Sequence, residues 1–190
     1  MSFVHLQVHS EYSLQDSLVR VGELIDCVDQ ANMPAVALSD VDNLFAFVKF
    51  YQSCLAKAIK PICAVELTVN VSKHSGRVIL IAKNYKGYQA LLRLTSMRYS
   101  DHPRGVPIDK YKTLCDNLIA IISPWQGITS NLLSDGKFEL AEQVLSQLNS
   151  LFPKRFYLGL IRHKSQQHIQ CDSFHMTMCK KFAIAPVALG

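Results

Sequence analysis

His5, Gln7 and His9 stand two residues apart in FVHLQVHSEYSLQD, residues 3–16, and Glu11 and Asp16 follow them. Alternate side chains of a strand share a face. The spacing therefore predicts a first strand with imidazole, amide and imidazole on one face and Val4, Leu6 and Val8 on the other. Two more carboxylates stand in apolar runs: Asp40 ends PAVALSD, 34–40, and Glu66 lies in KPICAVELTVN, 60–70. His9, Asp16, Asp40 and Glu66 together make a carboxylate-rich donor set drawn from four segments. Such a set suits zinc, manganese or iron, ions that activate water for phosphoester hydrolysis. The same residues also have plain structural readings. Asp16 precedes a helix and suits an N-cap, and so do Asp40, Asp42 and Asn43 in the S-D-V-D-N run. Glu66 is harder to read as structural, because a carboxylate in an apolar strand needs a partner.

The elements that must position these groups alternate. RVGELIDCVDQAN, 20–32, carries Val21, Leu24, Ile25 and Val28 on one helical stripe. PAVALSD is a short apolar strand. NLFAFVKFYQSCLAKA, 43–58, predicts a helix with Leu44, Phe47, Val48 and Tyr51 on one face. KPICAVELTVN and RVILIAKN read as strands joined by a polar turn, a candidate hairpin. A helix in GYQALLRLTSM is followed by the loop DHPRGVP, the strand NLIAIIS at 117–123, the amphipathic helix 139–152, the strand RFYLGLIRH, a helix over about 165–182 and the strand APVAL. Short apolar strands separated by helices imply an α/β fold with a mainly parallel sheet covered on both faces, and their repetition suggests a (β/α) barrel. In a barrel of that kind reactive groups gather at the C-terminal ends of strands. His9, Asp16, Asp40, Glu66 and Ser123 all fall near such ends. APVALG begins a strand that nothing covers, which predicts a truncated barrel.

Composition narrows the class. The chain has 190 residues, 49% of them hydrophobic and 18% charged, the balance of a globular domain. No apolar run reaches the roughly 20 residues of a membrane span, and MSFVHLQVHSEYS has neither the basic start nor the apolar core of a targeting peptide. Six cysteines without a C-x-x-C pair suit a reducing cytoplasm. The net charge of +5 is mildly basic. The nearest thing to a basic cluster is Lys154, Arg155, Arg162 and Lys164, read as a solvated face rather than a nucleic-acid groove.

FVHLQVHSEYSLQD resembles the opening H-x-H-x-x-Y-S-x-x-D motif of the PHP (polymerase and histidinol phosphatase) superfamily, and more narrowly the start of the bacterial DNA polymerase III alpha-subunit family. MPAVALSDVDNLFAFVKFY, IKPICAVEL, ILIAKNYKGYQALLRLTS, PIDKYKTLCDNLIAIIS and FPKRFYLGLIRH resemble further segments of that family, in order and over almost the whole chain.

The resemblance implies a PHP-type distorted barrel, residues 1–190, with palm, fingers and further domains of a DNA-directed DNA polymerase beyond it. It implies that the palm uses magnesium and contacts DNA, that this chain alone is inactive, and that its PHP domain docks the proofreading exonuclease (epsilon) subunit within the polymerase III holoenzyme. In the family the PHP metal cluster is held by histidines, carboxylates and one cysteine. Carried over, His9, Asp16 and Glu66 are retained ligand positions and Asp40 remains beside a lost one. Gln7, Val41 and Trp125 stand where the family has two histidines and the cysteine. His102 falls near a further family histidine, and the final D-x-H pair lies past Gly190. Valine offers no lone pair, and tryptophan is a donor only and large enough to fill a cavity. The implied site is a remnant, with zinc, manganese or iron only if it still assembles. A metal-dependent phosphoesterase is the competing expectation.

Overall fold

The computed structural model describes residues 3–71, 73–161 and 165–189. Arg162 and Lys164 of the basic cluster lie outside the described residues. The strands are β1 (Ala35–Leu38), β2 (Lys60–Val71), β3 (His74–Ala82), β4 (Val106–Pro107), β5 (Leu118–Ile122), β6 (Phe156–Leu160) and β7 (Ala185–Ala188). They form one sheet in the order β1-β2-β3-β5-β6-β7, with the short β4 on β2. β3 runs antiparallel to both β2 and β5, and the other pairs are parallel. The connection from Val71 to His74 is too short for a crossover, so β2 can only return as a hairpin. The links from β1 to β2, β5 to β6 and β6 to β7 carry helices and return parallel, and the link from β3 to β5 carries a helix and returns antiparallel.

The sheet sorts its side chains by the two-residue period. Val65 and Leu67 of β2, Val78 and Leu80 of β3, Ile122 of β5 and Leu158 of β6 point outward. They are covered by α3 (Tyr85–Ser100), α4 (Ile128–Ser134), α5 (Phe138–Leu151) and α6 (Gln166–Phe182), through Leu91, Leu94, Leu132, Val144, Leu148 and Met178. Val36 and Leu38 of β1 are covered by α1 (Val21–Gln30) and α2 (Phe47–Ala56). The opposite face holds Ala37, Ala64, Ile79, Ile81 and Ile121, and Leu189 joins them. Ala37 comes from the first strand of the sheet and Leu189 from just after the last. One cluster therefore collects both edges, and the mixed sheet curls into a half-barrel. Gly76 seats α4 on this wall: a Cβ there would meet the Ile128 backbone at 2.3 Å.

Three expectations differ from the structure. Residues 3–9 do not form a regular strand. They run beside β1, where Ala37 N–H donates to His5 O at 2.9 Å and Ser39 N–H to Val8 O at 2.8 Å. Donors two residues apart thus meet acceptors three apart, which is the signature of one inserted residue. The insertion breaks the expected alternation: Leu6 packs into the inner cluster, whereas Val8 packs outward on α1 and α2. In α2 the buried face is Phe50 and Cys54, with Phe47 at its margin, and Val48 and Tyr51 are 60% and 44% exposed. The short helix α4, in ITSNLLS, is the third difference, since the loop signals around Pro124 and Gly127 concealed it.

Local chemistry sets several boundaries. Asn84 caps α3 by accepting from Gly87 N–H at 3.1 Å. Ser165 caps α6 by accepting from His168 N–H, and Ala183 ends that helix in the left-handed region at φ 52°. All six cysteines are free thiols, five of them buried. Burial pushes the Cys63 and Cys171 thiols up to about 12.

Candidate functional site

Glu66 lies in the middle of β2 on the inner face and is fully buried. Its Oε1 accepts from Gln7 Nε2 at 3.1 Å, and its Oε2 meets His9 Nε2. The amide of Gln7 is used at both ends, because Gln7 Oε1 accepts from Ser123 Oγ at 2.8 Å. Ser123, at the end of β5, in turn accepts from Trp125 N–H at 3.0 Å. A chain of donors therefore runs from the Trp125 backbone through Ser123 and Gln7 to the Glu66 carboxylate. A primary amide suits the middle of such a chain because it is both donor and acceptor. Gln7 and His9, two residues apart, share the face toward Glu66, and the inserted residue before Val8 puts His5 out of phase with them. Strict alternation would give His5 the same face, but its ring packs edge-on against Phe3, with centroids 4.8 Å apart.

The chain after β1 continues beside β2. Glu66 N–H donates to Asp40 O and Asp42 N–H to Glu66 O, which sets Val41 directly beside Glu66 in a parallel bridge. Val41 is thus an apolar neighbour of the buried carboxylate. Asp40 itself is engaged elsewhere. Its carboxylate accepts from Ser10 N–H at 2.6 Å, Ser10 Oγ at 2.7 Å and Ser13 Oγ at 2.6 Å. It is 2% exposed and pins the loop that follows His9 to the end of β1. Asp42 makes a comparable clamp, accepting from Thr68 N–H and Oγ1 and from Arg98 Nε at 3.0 Å.

Asp16 forms an ion pair with Arg77, Nη2 to Oδ2 at 2.9 Å. Arg77 lies in β3 opposite Thr68, so a fixed guanidinium neutralises this acid at the rim of the half-barrel. Trp125 is 45% exposed, and its ring packs on His168 with centroids 5.2 Å apart rather than filling the interior. His102 belongs to the loop after α3, its N–H on Met97 O.

Of the four residues singled out by spacing, the fold brings His9 and Glu66 into contact and engages Asp16 and Asp40 with other partners. The partners that sequence reasoning passed over are Arg77, Ser10 and Ser13. Ser123 was legible as a polar group ending an apolar strand. The donor set does not fit a multinuclear transition-metal centre. Among the described residues no group of three His, Cys, Asp or Glu side chains converges. The carboxylate at the centre instead spends its acceptors on an amide and an imidazole, with a valine beside it.

The PHP domain profile matches residues 5–163. The chain belongs to the PHP family. Its curated relatives include the DNA polymerase III alpha subunit of Pseudomonas aeruginosa, 38% identical over 169 residues, covering 85% of this chain and 14% of that protein. The alpha subunit of Bacillus subtilis is 35% identical over 173 residues, covering 88% of this chain and 15% of that protein. The PHP chain thus spans about a seventh of the length of the curated relatives it matches. Solved structures share its fold at low identity. An amidohydrolase from Chromobacterium violaceum, solved with bound sulfate and no metal, superposes with a TM-score of 0.60 at 12% identity, covering 98% of this chain and 86% of that one. A protein of Bifidobacterium adolescentis assigned as a metal-dependent phosphoesterase gives 0.56 at 9% identity, covering 98% and 85%. Among the described residues no helix is long and apolar enough to cross a membrane.

Proposed function

We propose that this chain is the N-terminal PHP module of a bacterial replicative DNA polymerase alpha subunit, and that it acts as a structural and docking unit rather than as a hydrolase. The observation that carries the reading is the Gln7–Glu66 hydrogen bond, backed by Ser123. It replaces a metal–carboxylate contact with a neutral amide and leaves Glu66 partnered without an ion. Val41 and Trp125 are the two further positions where the family motif has ligands and this chain has none. His9, Asp16, Asp40 and Glu66 are then a remnant set, two of them reassigned to loop and rim contacts.

In this reading the polymerase chemistry, its magnesium and its DNA contacts reside in palm and fingers domains beyond the chain. The PHP module supports them and receives the proofreading exonuclease (epsilon) subunit in the cytoplasmic replication complex. Co-purification of the folded chain with the cognate exonuclease tests the docking role. A complex at micromolar concentration is expected, and its absence with circular dichroism of a folded protein contradicts the role.

A metal-dependent phosphoesterase remains the second reading, favoured by the surviving His9–Glu66 contact and by the fold it shares with the phosphoesterase neighbour. The triple variant Gln7→His, Val41→His, Trp125→Cys separates the two. Under the remnant reading the triple variant binds zinc or manganese at least tenfold more tightly than the parent. Unchanged affinity means that these three positions are not the lost ligands.

A further inference from the structure

The exposed face of α2 borders a groove of about 720 Å³ between α2, the start of β2 and the β3–α3 junction. Its floor is aliphatic, with Val48, Pro61 and Ile62, and its walls are the rings of Tyr51, Tyr85 and Tyr88. The rings are held in place rather than loose: Phe47 lies 6.0 Å from Tyr51 and 5.4 Å from Tyr88, and Tyr85 lies 6.2 Å from Tyr88, between centroids. Val48 is 60% exposed and Tyr85 72%, so this is apolar surface that the half-barrel does not use for its own core. The groove opens where β2 begins and β3 ends, several residues along both strands from Glu66, and shares none of its lining with the Glu66 cluster.

Charge decides what fits it. Lys60 and Lys83 stand on the rim, both exposed, and no acidic side chain lines the groove. Neither lysine enters an ion pair among the described residues, whereas Lys57, just past the end of α2, is held by Asp26 and Asp29. Two unpaired cations over an aliphatic floor complement a segment that carries carboxylates beside an apolar anchor. A nucleic acid fits less well, since affinity for a backbone grows with the number of phosphates neutralised and only two cations are offered here. The rim of Gln52, Asn84 and tyrosine hydroxyls is polar enough to stand in water. That is the character of a surface that exchanges its partner, not of a permanent interface, which would be more apolar.

We propose that the α2–α3 groove binds an acidic peptide segment of a separate partner protein, with a leucine or aromatic side chain seated between Tyr51 and Tyr85. The inference rests on the docking reading above for the kind of partner and adds the chemistry of the segment it takes. The test is fluorescence anisotropy with a short fluorescein-labelled peptide of glutamates flanking a Leu-Phe pair. One control replaces the glutamates by lysines and another replaces the pair by Ser-Gly. The acidic peptide is expected to bind at least tenfold more tightly than either control. Tyr51→Ala and the Lys60→Glu, Lys83→Glu pair are each expected to weaken it about tenfold while leaving the melting temperature unchanged, as suits exposed positions. Binding undetectable up to millimolar peptide overturns the proposal. So does equal binding of the basic control, binding indifferent to these substitutions, or tighter binding of an oligothymidylate lost in the same variants. Competition with the exonuclease separates the two claims. If the exonuclease binds and the acidic peptide does not bind, the groove assignment fails and docking stands. If the peptide binds and the exonuclease does not, docking of that subunit fails and the groove stands.

Discussion

Gln7 Nε2 donates to Glu66 Oε1 at 3.1 Å while Gln7 Oε1 accepts from Ser123 Oγ at 2.8 Å. One amide thus joins the irregular N-terminal segment, the centre of β2 and the end of β5. Removing it leaves a buried carboxylate oxygen without its donor and the buried Ser123 hydroxyl without its acceptor. Gln7→Leu is expected to cost about 2 kcal/mol, the usual range for leaving buried polar groups unpaired. Chemical denaturation measures it. In a double-mutant cycle with Glu66→Gln, the two losses should fall short of additivity by at least about 0.5 kcal/mol, as for residues in one network.

Asp40 carries a different load. Its three donors, from Ser10 and Ser13, fasten residues 10–13 to the end of β1. Hydrogen bonds to a buried charged acceptor are among the stronger ones. Asp40→Ala is expected to lower stability by about 3 kcal/mol and to open the loop around Leu14 to limited proteolysis. Ser13→Ala should reproduce part of the loss, because Ser13 Oγ also accepts from Val41 N–H at 3.0 Å.

His175 of α6 makes stability depend on pH. Its Nδ1–H donates to Gly159 O at 2.8 Å, so Nε2 accepts from Thr129 Oγ1 at 2.9 Å, and the ring is fully buried. Burial holds its pKa down to about 4 from an ordinary 6.5. In the unfolded chain the ring takes a proton below 6.5, and in the folded one only below about 4. The unfolded state therefore binds more protons across that window, and stability falls as pH drops from 6.5 to 4. The full loss from this group is about 3 kcal/mol. Urea denaturation at closely spaced pH values should show the slope, and His175→Asn should flatten it.

Much of the fold was legible because its strands are apolar runs with turn residues between them. KPICAVELTVN and NLIAIIS map onto β2 and β5 almost residue for residue, whereas β3 starts at His74, inside the SKHSG segment read as a turn, and ends at Ala82, two residues before RVILIAKN does. The N-terminal segment was not, because alternation in a sequence cannot reveal the inserted residue that turns Leu6 and Val8 to opposite faces. The buried face of α2 is not legible for a different reason. That helix is apolar nearly all round, so two stripes satisfy a 3.6-residue period, and only tertiary packing selects Phe50 and Cys54 over Val48 and Tyr51. In the site, the central role of Glu66 could be read from a lone carboxylate in a buried strand. The attachments of Asp40 to Ser13 and of Asp16 to Arg77 join residues 27 and 61 positions apart, and no local pattern encodes them.

In the proposed reading the Glu66 cluster is closed by its own side chains and assembles no metal centre. Elemental analysis of protein purified without chelator or affinity metal tests it most directly, counting zinc, manganese and iron per chain. Less than about a tenth of an equivalent of each is expected, unchanged by Glu66→Gln, because a site without converging ligands retains no transition metal through purification. One or more equivalents, lost on Glu66→Gln or His9→Ala, would contradict it.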